Sequence, residues 1–326
     1  MNLYQLKGSK TEFIGLHPFK LEKEIQEVVE KNTDIFFNLE LVRSEFTSGE
    51  FRIDTLCYNN ETNSFVIIEY KKGNNYSVID QGYSYLSLML NNKSDFIIEY
   101  NERLNKNLRR DDVDWTQSRI IFISQSFSSY QKNSINFKNL PFELWEIKRF
   151  MNGTIILNQQ ISNSKESIDT LKNIESNSVI KGVSKEIQVI DEEFHTRKLD
   201  KENLDKWNEL KQRFLGIDNV SIQVKKYYIS FVDDNCIGKD KTILKTICYV
   251  NFRKNHMTIG IGRGNVNPDG TKSKNYFDID DPKGISEEGS WEWKSGVKGT
   301  VYNIKFNKDS DIDYLMFLIN QKVKLI

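Results

Sequence analysis

Cysteine and histidine are scarce in this chain, and neither is grouped. Cys57, Cys236 and Cys248 stand far apart, with no CxxC pair and no nearby histidine, so neither a disulfide framework nor a zinc site is expected. His17, His195 and His256 are the complete histidine complement, which argues against histidine-dependent catalysis and HNH-type nuclease chemistry. No window offers the roughly 18 consecutive apolar residues of a membrane-spanning helix. The opening MNLYQLKGSKTEF has no apolar core followed by a cleavage site, so it does not read as a secretory signal. Charge of one sign is also missing: 46 basic side chains face 46 acidic ones, and there is no polybasic tail. These absences predict a soluble, cytoplasmic chain with no membrane partner. Any nucleic-acid contact must come from a local patch made by folding.

A length of 326 residues suggests two domains of ordinary size. In PFKLEKEIQEVVEKN, Leu21, Ile25, Val28 and Val29 recur at helical spacing. IFFNLELVRSEF, FRIDTLCY and FVIIEYKK follow, rich in aromatic and β-branched residues and separated by TSGE and NNETN, which predicts an antiparallel meander. SVIDQGYSYLSLMLNN reads as a helix despite Gly82, FIIEY and RIIFIS as strands, and FELWEIKRF as the last strand. The polar span 158–200 reads as a linker, in part helical. A second domain, 201–326, opens with a helix whose Leu204, Trp207, Leu210 and Phe214 share a face. It continues through SIQVKKYYISFVDD, TILKTICYVNF, HMTIGIGRG and TVYNIKF to a closing helix, an α+β order with an antiparallel sheet.

The stretch FVIIEYKK ends an apolar strand in charge, and a buried charge is costly unless paired. An acid followed two places later by lysine recurs at Glu146, Asp281 and Glu292, so the triplet alone means little. Around Glu69 the neighbours differ. Asp54 lies fifteen positions earlier in the preceding strand, a spacing that lets the two carboxylates face one another across a hairpin. Such a pair repels unless a proton or cation sits between them. Mg²⁺ suits the pair, because it takes one or two carboxylates and keeps waters that phosphate oxygens can replace. Lys71 shares Glu69's face of the strand, whereas Lys72 faces the other way. Gln81 and Tyr85, four apart, share one face of the next helix.

A strand Asp, then Glu-x-Lys, then a helix carrying Gln-x-x-x-Tyr resembles the PD-(D/E)XK nuclease superfamily, most of all its RecB-like and NucS-like branches. The resemblance covers roughly residues 17–150. It implies a restriction-endonuclease-like α/β core over 1–157, a central mixed sheet flanked by helices, and metal-dependent hydrolysis of DNA in restriction, repair or defence. Carried over by position, Asp54, Glu69 and the Tyr70 carbonyl would hold Mg²⁺ or Mn²⁺. Lys71 would be the catalytic lysine, and Gln81 and Tyr85 would position water, lysine or phosphate. A first-helix glutamate also approaches the metal in such enzymes. Glu22 and Glu24 flank the apolar stripe by about 75° and 85° in ideal helix geometry, and the family's Glu-x-x-apolar helix start favours Glu22. A homodimer is a further expectation. The C-terminal region resembles bacterial proteins labelled predicted transport proteins, although the chain supplies no transport chemistry.

Plainer readings stand beside these. Asp54, Glu69 and Lys71 would also fit a surface ion-pair cluster, and Gln81 and Tyr85 ordinary helix packing. GIGRGN at 260–265 lacks the full GxGxxG spacing and reads as a glycine-rich strand end. Trp291 and Trp293 read as a half-buried strand before a base-stacking platform. At the level of the whole chain, the alternative function is a catalytically silent nucleic-acid- or protein-binding adaptor with a nuclease-like fold.

Overall fold

The computed structural model describes residues 2–49, 51–71, 78–134, 140–161, 178–237, 244–274, 276–292 and 296–325. The chain divides into two compact units, Met1–Val189 and Ile190–Ile326.

The first unit opens with a hairpin of β1 (Leu3–Lys7) and β2 (Lys10–Ile14) and continues with helices α1 (Glu22–Glu30) and α2 (Thr33–Phe37). The expected meander follows as β3 (Glu40–Ser48), β4 (Phe51–Asn59) and β5 (Ser64–Lys71). Helices α3 (Val78–Asn91) and α4 (Lys93–Leu104) lead to β6 (Arg119–Ser124), α5 (Ser129–Ser134), β7 (Phe142–Arg149), β8 (Ile155–Gln160) and α6 (Ser178–Glu186). The six-stranded sheet runs β3-β4-β5-β6-β7-β8, parallel from β5 to β7 and antiparallel at both sides. It is the mixed sheet flanked by helices that the sequence predicts.

Alternation along β5 divides the packing between the two sheet faces. Val66, Ile68 and Tyr70 join Ile25 and Val29 of α1 in one apolar cluster. Phe65 and Ile67 join Leu86 and Met89 of α3 and Phe96 and Tyr100 of α4 in another. Gly82 is what lets α3 approach the sheet: a Cβ there would come 2.6 Å from the ring of Phe142.

Two local expectations are corrected. FIIEY is not a strand but the middle of α4, because Phe96 and Tyr100, four apart, bury one helical face against Phe65, with ring centroids 5.8 and 6.1 Å away. Short apolar runs fit either period, and here the helical one packs. FELWEIKRF is β7 but not the last strand, since β8 pairs with it and packs Ile155 and Leu157 on the α1 side. The span 158–200 holds the end of β8, α6 and α7 (Glu192–Thr196), and Ile180 and Val183 of α6 belong to the first unit's core.

The second unit continues after α7 with α8 (Lys201–Leu215), then strands β9 (Val220–Val224), β10 (Ile229–Ile237), β11 (Leu244–Arg253), β12 (His256–Val266), β13 (Ser286–Glu292) and β14 (Lys298–Phe306), and closes with α9 (Ile312–Val323). The sheet is antiparallel throughout, in the order β13-β14-β12-β11-β10-β9. Trp207, Leu210 and Phe214 of α8 and Leu315, Leu318 and Ile319 of α9 pack into its core. Asp200 caps α8 and Asp311 caps α9, each accepting a backbone N–H of the first turn. SIQVKKYYISFVDD therefore holds two strands with a turn between them. GIGRGN lies in β12 across a bulge at Gly262–Gly264, as a glycine-rich strand end. Trp291 lies across Gly299 of the neighbouring strand, where a Cβ would collide with its indole. Trp293 falls outside the described residues.

Candidate active site

The backbone ladder between β4 and β5 runs from Asn59↔Ser64 to Thr55↔Ile68. One residue further on, the Asp54 carboxylate takes the place of a ladder carbonyl: the Tyr70 N–H donates to Asp54 Oδ2 at 3.0 Å. The face alternation of β4 changes phase here, since Ile53 and Leu56 share one cluster and Cys57 joins the other. Opposite Asp54 in the β3 register, Glu45 adopts a left-handed φ of 53°, a conformation that costs a non-glycine residue about 1 kcal/mol or more. The strand distortion therefore coincides with the proposed ligand.

Glu69 is 5% exposed. Its Oε1 accepts from Lys71 Nζ at 3.0 Å and Gln81 Nε2 at 2.8 Å, and the Tyr85 hydroxyl approaches at 3.4 Å. Gln81 also donates to the Tyr85 oxygen at 3.1 Å, and that hydroxyl lies 3.2 Å from the Arg52 carbonyl. Three side chains from β5 and α3 thus converge on one carboxylate oxygen. Among the described residues the other, Oε2, is buried with no hydrogen-bond partner, and a buried oxygen left unpaired is expensive. Burial, then the nearby Asp54 charge, pushes the Glu69 carboxyl up to about 7. Asp54 is also raised, by burial first, with the charge of Glu22 adding to the effect.

The two candidate first-helix acids separate in space. Glu24 pairs with Arg149 at 3.2 Å. Glu22 is exposed and lies close enough for its charge to raise Asp54. One turn along α1, Gln26 is 5% exposed and donates to the Asp54 carbonyl at 3.1 Å and to Glu30 at 2.8 Å. That contact holds the Glu22 face of α1 against β4. The structure therefore brings together Asp54, Glu69, Lys71, Gln81 and Tyr85, with Glu22 at the side. The Tyr70 side chain turns to the opposite face, where its hydroxyl meets Thr55 Oγ1 at 3.1 Å. Lys72 lies outside the described residues. Among the described residues no group of three or more His, Cys, Asp or Glu side chains is arranged to hold a metal ion.

Two features escaped the sequence reading. Gln26 is a polar residue inside an apolar stripe, a signal open to inspection. Glu45 bridges Lys23 (3.2 Å) and Arg52 (2.7 Å) at the rim. Arg52 stands two residues before Asp54, the strand period that marks a shared side. The rival triplets are otherwise engaged: Glu146 pairs with Lys132, and Asp281 accepts from Ser286 and Tyr314.

A cluster of two carboxylates, a lysine, a glutamine and a tyrosine at the ends of paired strands is the arrangement that fold and residues define. No known protein-family profile matches the chain. A Haemophilus influenzae protein described as uncharacterized is 35% identical over 328 residues, covering 99% of this chain and 100% of the relative, and the chain belongs to its family. Among solved structures the chain is similar to EndoMS in a complex with dsDNA (15% identity, 45% of this chain, 64% of that one, TM-score 0.22). It is likewise similar to a repair endonuclease from Pyrococcus abyssi (13%, 44% and 65%, TM-score 0.23). A third is Pyrococcus furiosus SfsA in complex with Ca²⁺ (12%, 48% and 74%, TM-score 0.24). The chain spans less than two thirds of the first two solved chains. Overlaps this small leave the chemistry to be argued from the site itself. No helix among the described residues is long and apolar enough to cross a membrane.

Proposed function

We propose that the first unit is a metal-dependent nuclease that hydrolyses phosphodiester bonds in DNA. The observation that carries this reading is the pair of raised carboxyls, half-buried Asp54 and buried Glu69, in which Glu69 Oε1 is saturated with donors while Oε2 is buried without a partner among the described residues. An oxygen in that state fits a cation ligand, and hard carboxylate oxygens suit Mg²⁺ or Mn²⁺. Asp54, Glu69 and the Tyr70 carbonyl would hold the ion. When bound, such an ion polarises the phosphate and acidifies water.

The chain's own residues supply the rest. Lys71 places an ammonium 3.0 Å from Glu69 Oε1, beside the oxygen left for the ion, where it would stabilise charge growing on the phosphate in the transition state. Gln81 and Tyr85 fix the orientation of Glu69 by donating to Oε1, which leaves Oε2 for the ion. Glu22 adds negative charge on the open side of Asp54. The test is incubation of the purified full chain with DNA in Mg²⁺ or Mn²⁺, with and without EDTA. Cleavage that EDTA stops supports the proposal, and intact DNA with both ions sinks it.

A second reading, a silent nucleic-acid- or protein-binding adaptor, rests on the closed Lys71–Glu69 ion pair. DNA binding without cleavage in the same assay would select it.

A further inference from the structure

A depression of about 540 Å³ lies in the second unit, between the α7–α8 connection and the β11–β12 turn. Arg197 and Lys198 line it from the first segment, Arg253 and Lys254 from the second, and Leu199 and Phe252 supply apolar surface. The Asp200 N–H donates to the Lys254 carbonyl at 3.3 Å and joins the two segments.

All four cations are exposed, and among the described residues none of them forms an ion pair. That sets them apart from Lys211, Arg213 and Lys308 on the same unit, which pair with Glu192, Asp313 and Glu202. Arg197 is braced instead on the Phe194 ring, 4.3 Å from its centroid, with Lys198 over the same ring at 5.7 Å. Asp200, the acid lining the depression, is occupied as the α8 cap: its Oδ1 accepts from Asn203 N at 2.9 Å and Asn203 Nδ2 at 2.8 Å. Four like charges around one concavity repel one another, and an anion relieves that repulsion. The volume falls in the range of small-ligand sites, roughly 300–1,000 Å³. Cations on two sides with apolar surface between them match a phosphate ester joined to a flatter, less polar body.

We propose that this depression is a second binding site, one that takes the phosphate of a nucleotide, either within a nucleic-acid strand or as a free mononucleotide. The site belongs to the second unit and does not depend on the nuclease reading.

The test uses the full chain in EDTA, so that divalent ions play no part. Fluorescence anisotropy reads binding of a labelled single-stranded oligodeoxynucleotide, and calorimetry reads binding of AMP. The double variant Arg197→Ala/Arg253→Ala is compared with the parent and with Lys308→Ala. Binding of the oligonucleotide should weaken at least about tenfold in the double variant, and the salt dependence should fall by about 0.7 in log–log slope for each phosphate no longer neutralised. Lys308→Ala should behave as the parent. Loss of oligonucleotide binding alone assigns the site to a strand, and loss of AMP binding assigns it to a mononucleotide. Arg197→Lys/Arg253→Lys retains the charge and should keep the parent's salt slope, which guards against a folding defect in the alanine variant. Parent-like binding of both ligands by the alanine variant, or no binding of either ligand by the parent, overturns the proposal.

Discussion

Gln81 Nε2 lies 2.8 Å from Glu69 Oε1, so the first turn of α3 holds a carboxylate at the end of β5. The contact ties the helix to the strand end and leaves the second carboxylate oxygen without a donor. Among the described residues, three donors on one oxygen and none on the other make an asymmetric site, and the asymmetry generates the expectations below.

Glu69→Gln removes the buried acid of the pair and leaves half-buried Asp54 facing Lys71, a balanced pair. We expect the metal-free variant to unfold at a denaturant midpoint no lower than the parent's, because relief of repulsion offsets the broken ion pair. A clear drop in the midpoint would show that Glu69 acts mainly as a structural partner of Lys71.

Lys71→Ala does the reverse, stranding two carboxylates without their buried cation. Stability without metal should fall by about 3 kcal/mol. Mg²⁺ or Mn²⁺ should then raise the melting temperature more than it does in the parent, since ion binding now supplies the missing charge. Turnover should drop at least about a hundredfold while the ion still binds. A variant that cleaves DNA at the parent rate would remove Lys71 from the chemistry.

Gly82→Ala gains about 1 kcal/mol of helix propensity but drives a Cβ to 2.6 Å from Phe142, a ring already wedged against Tyr83 at 5.0 Å. Overpacking costs roughly 1–3 kcal/mol, so a net loss is expected, recovered by adding Phe142→Leu. Equal stability of Gly82→Ala and parent in urea unfolding would mean that α3 does not pack this closely.

His195 is buried in the second unit, with Nε2 2.8 Å from the Lys225 carbonyl and Nδ1 without a partner among the described residues. Burial lowers its pKa below the ordinary 6.5, helped by Lys198 and Arg197. The unfolded chain therefore binds the proton first, and the folded state loses stability as the pH falls below about 6.5. The protection of β11 amides, taken relative to their intrinsic exchange rates, should fall between about pH 7 and pH 5.5 in the parent, and less so in His195→Gln. An equal slope in both proteins would place the pH dependence elsewhere.

Much of this was legible in the sequence, for physical reasons. The strand period puts Glu69 and Lys71 on one side, a short hairpin brings Asp54 back beside them, and i,i+4 spacing pairs Gln81 with Tyr85. The apolar periodicity of α1 and α8 was equally direct. What escaped notice depends on tertiary contacts. FIIEY became helical because Phe96 and Tyr100 found Phe65 across the sheet, and α6 was hidden in a polar stretch because Ile180 and Val183 are its main anchors in the core. Geometry alone left Glu22 and Glu24 level. They separate in the structure because Arg149, more than a hundred residues away, pairs with Glu24. The left-handed Glu45 has no signature in composition or period.

The most direct test of the central claim is the rate at which Asp54→Ala and Glu69→Ala cleave DNA at saturating Mg²⁺, measured beside circular dichroism of the same samples. The account predicts parent-like spectra with cleavage abolished in both variants. Cleavage at the parent rate by either one would contradict the assignment of these two carboxylates as the metal ligands.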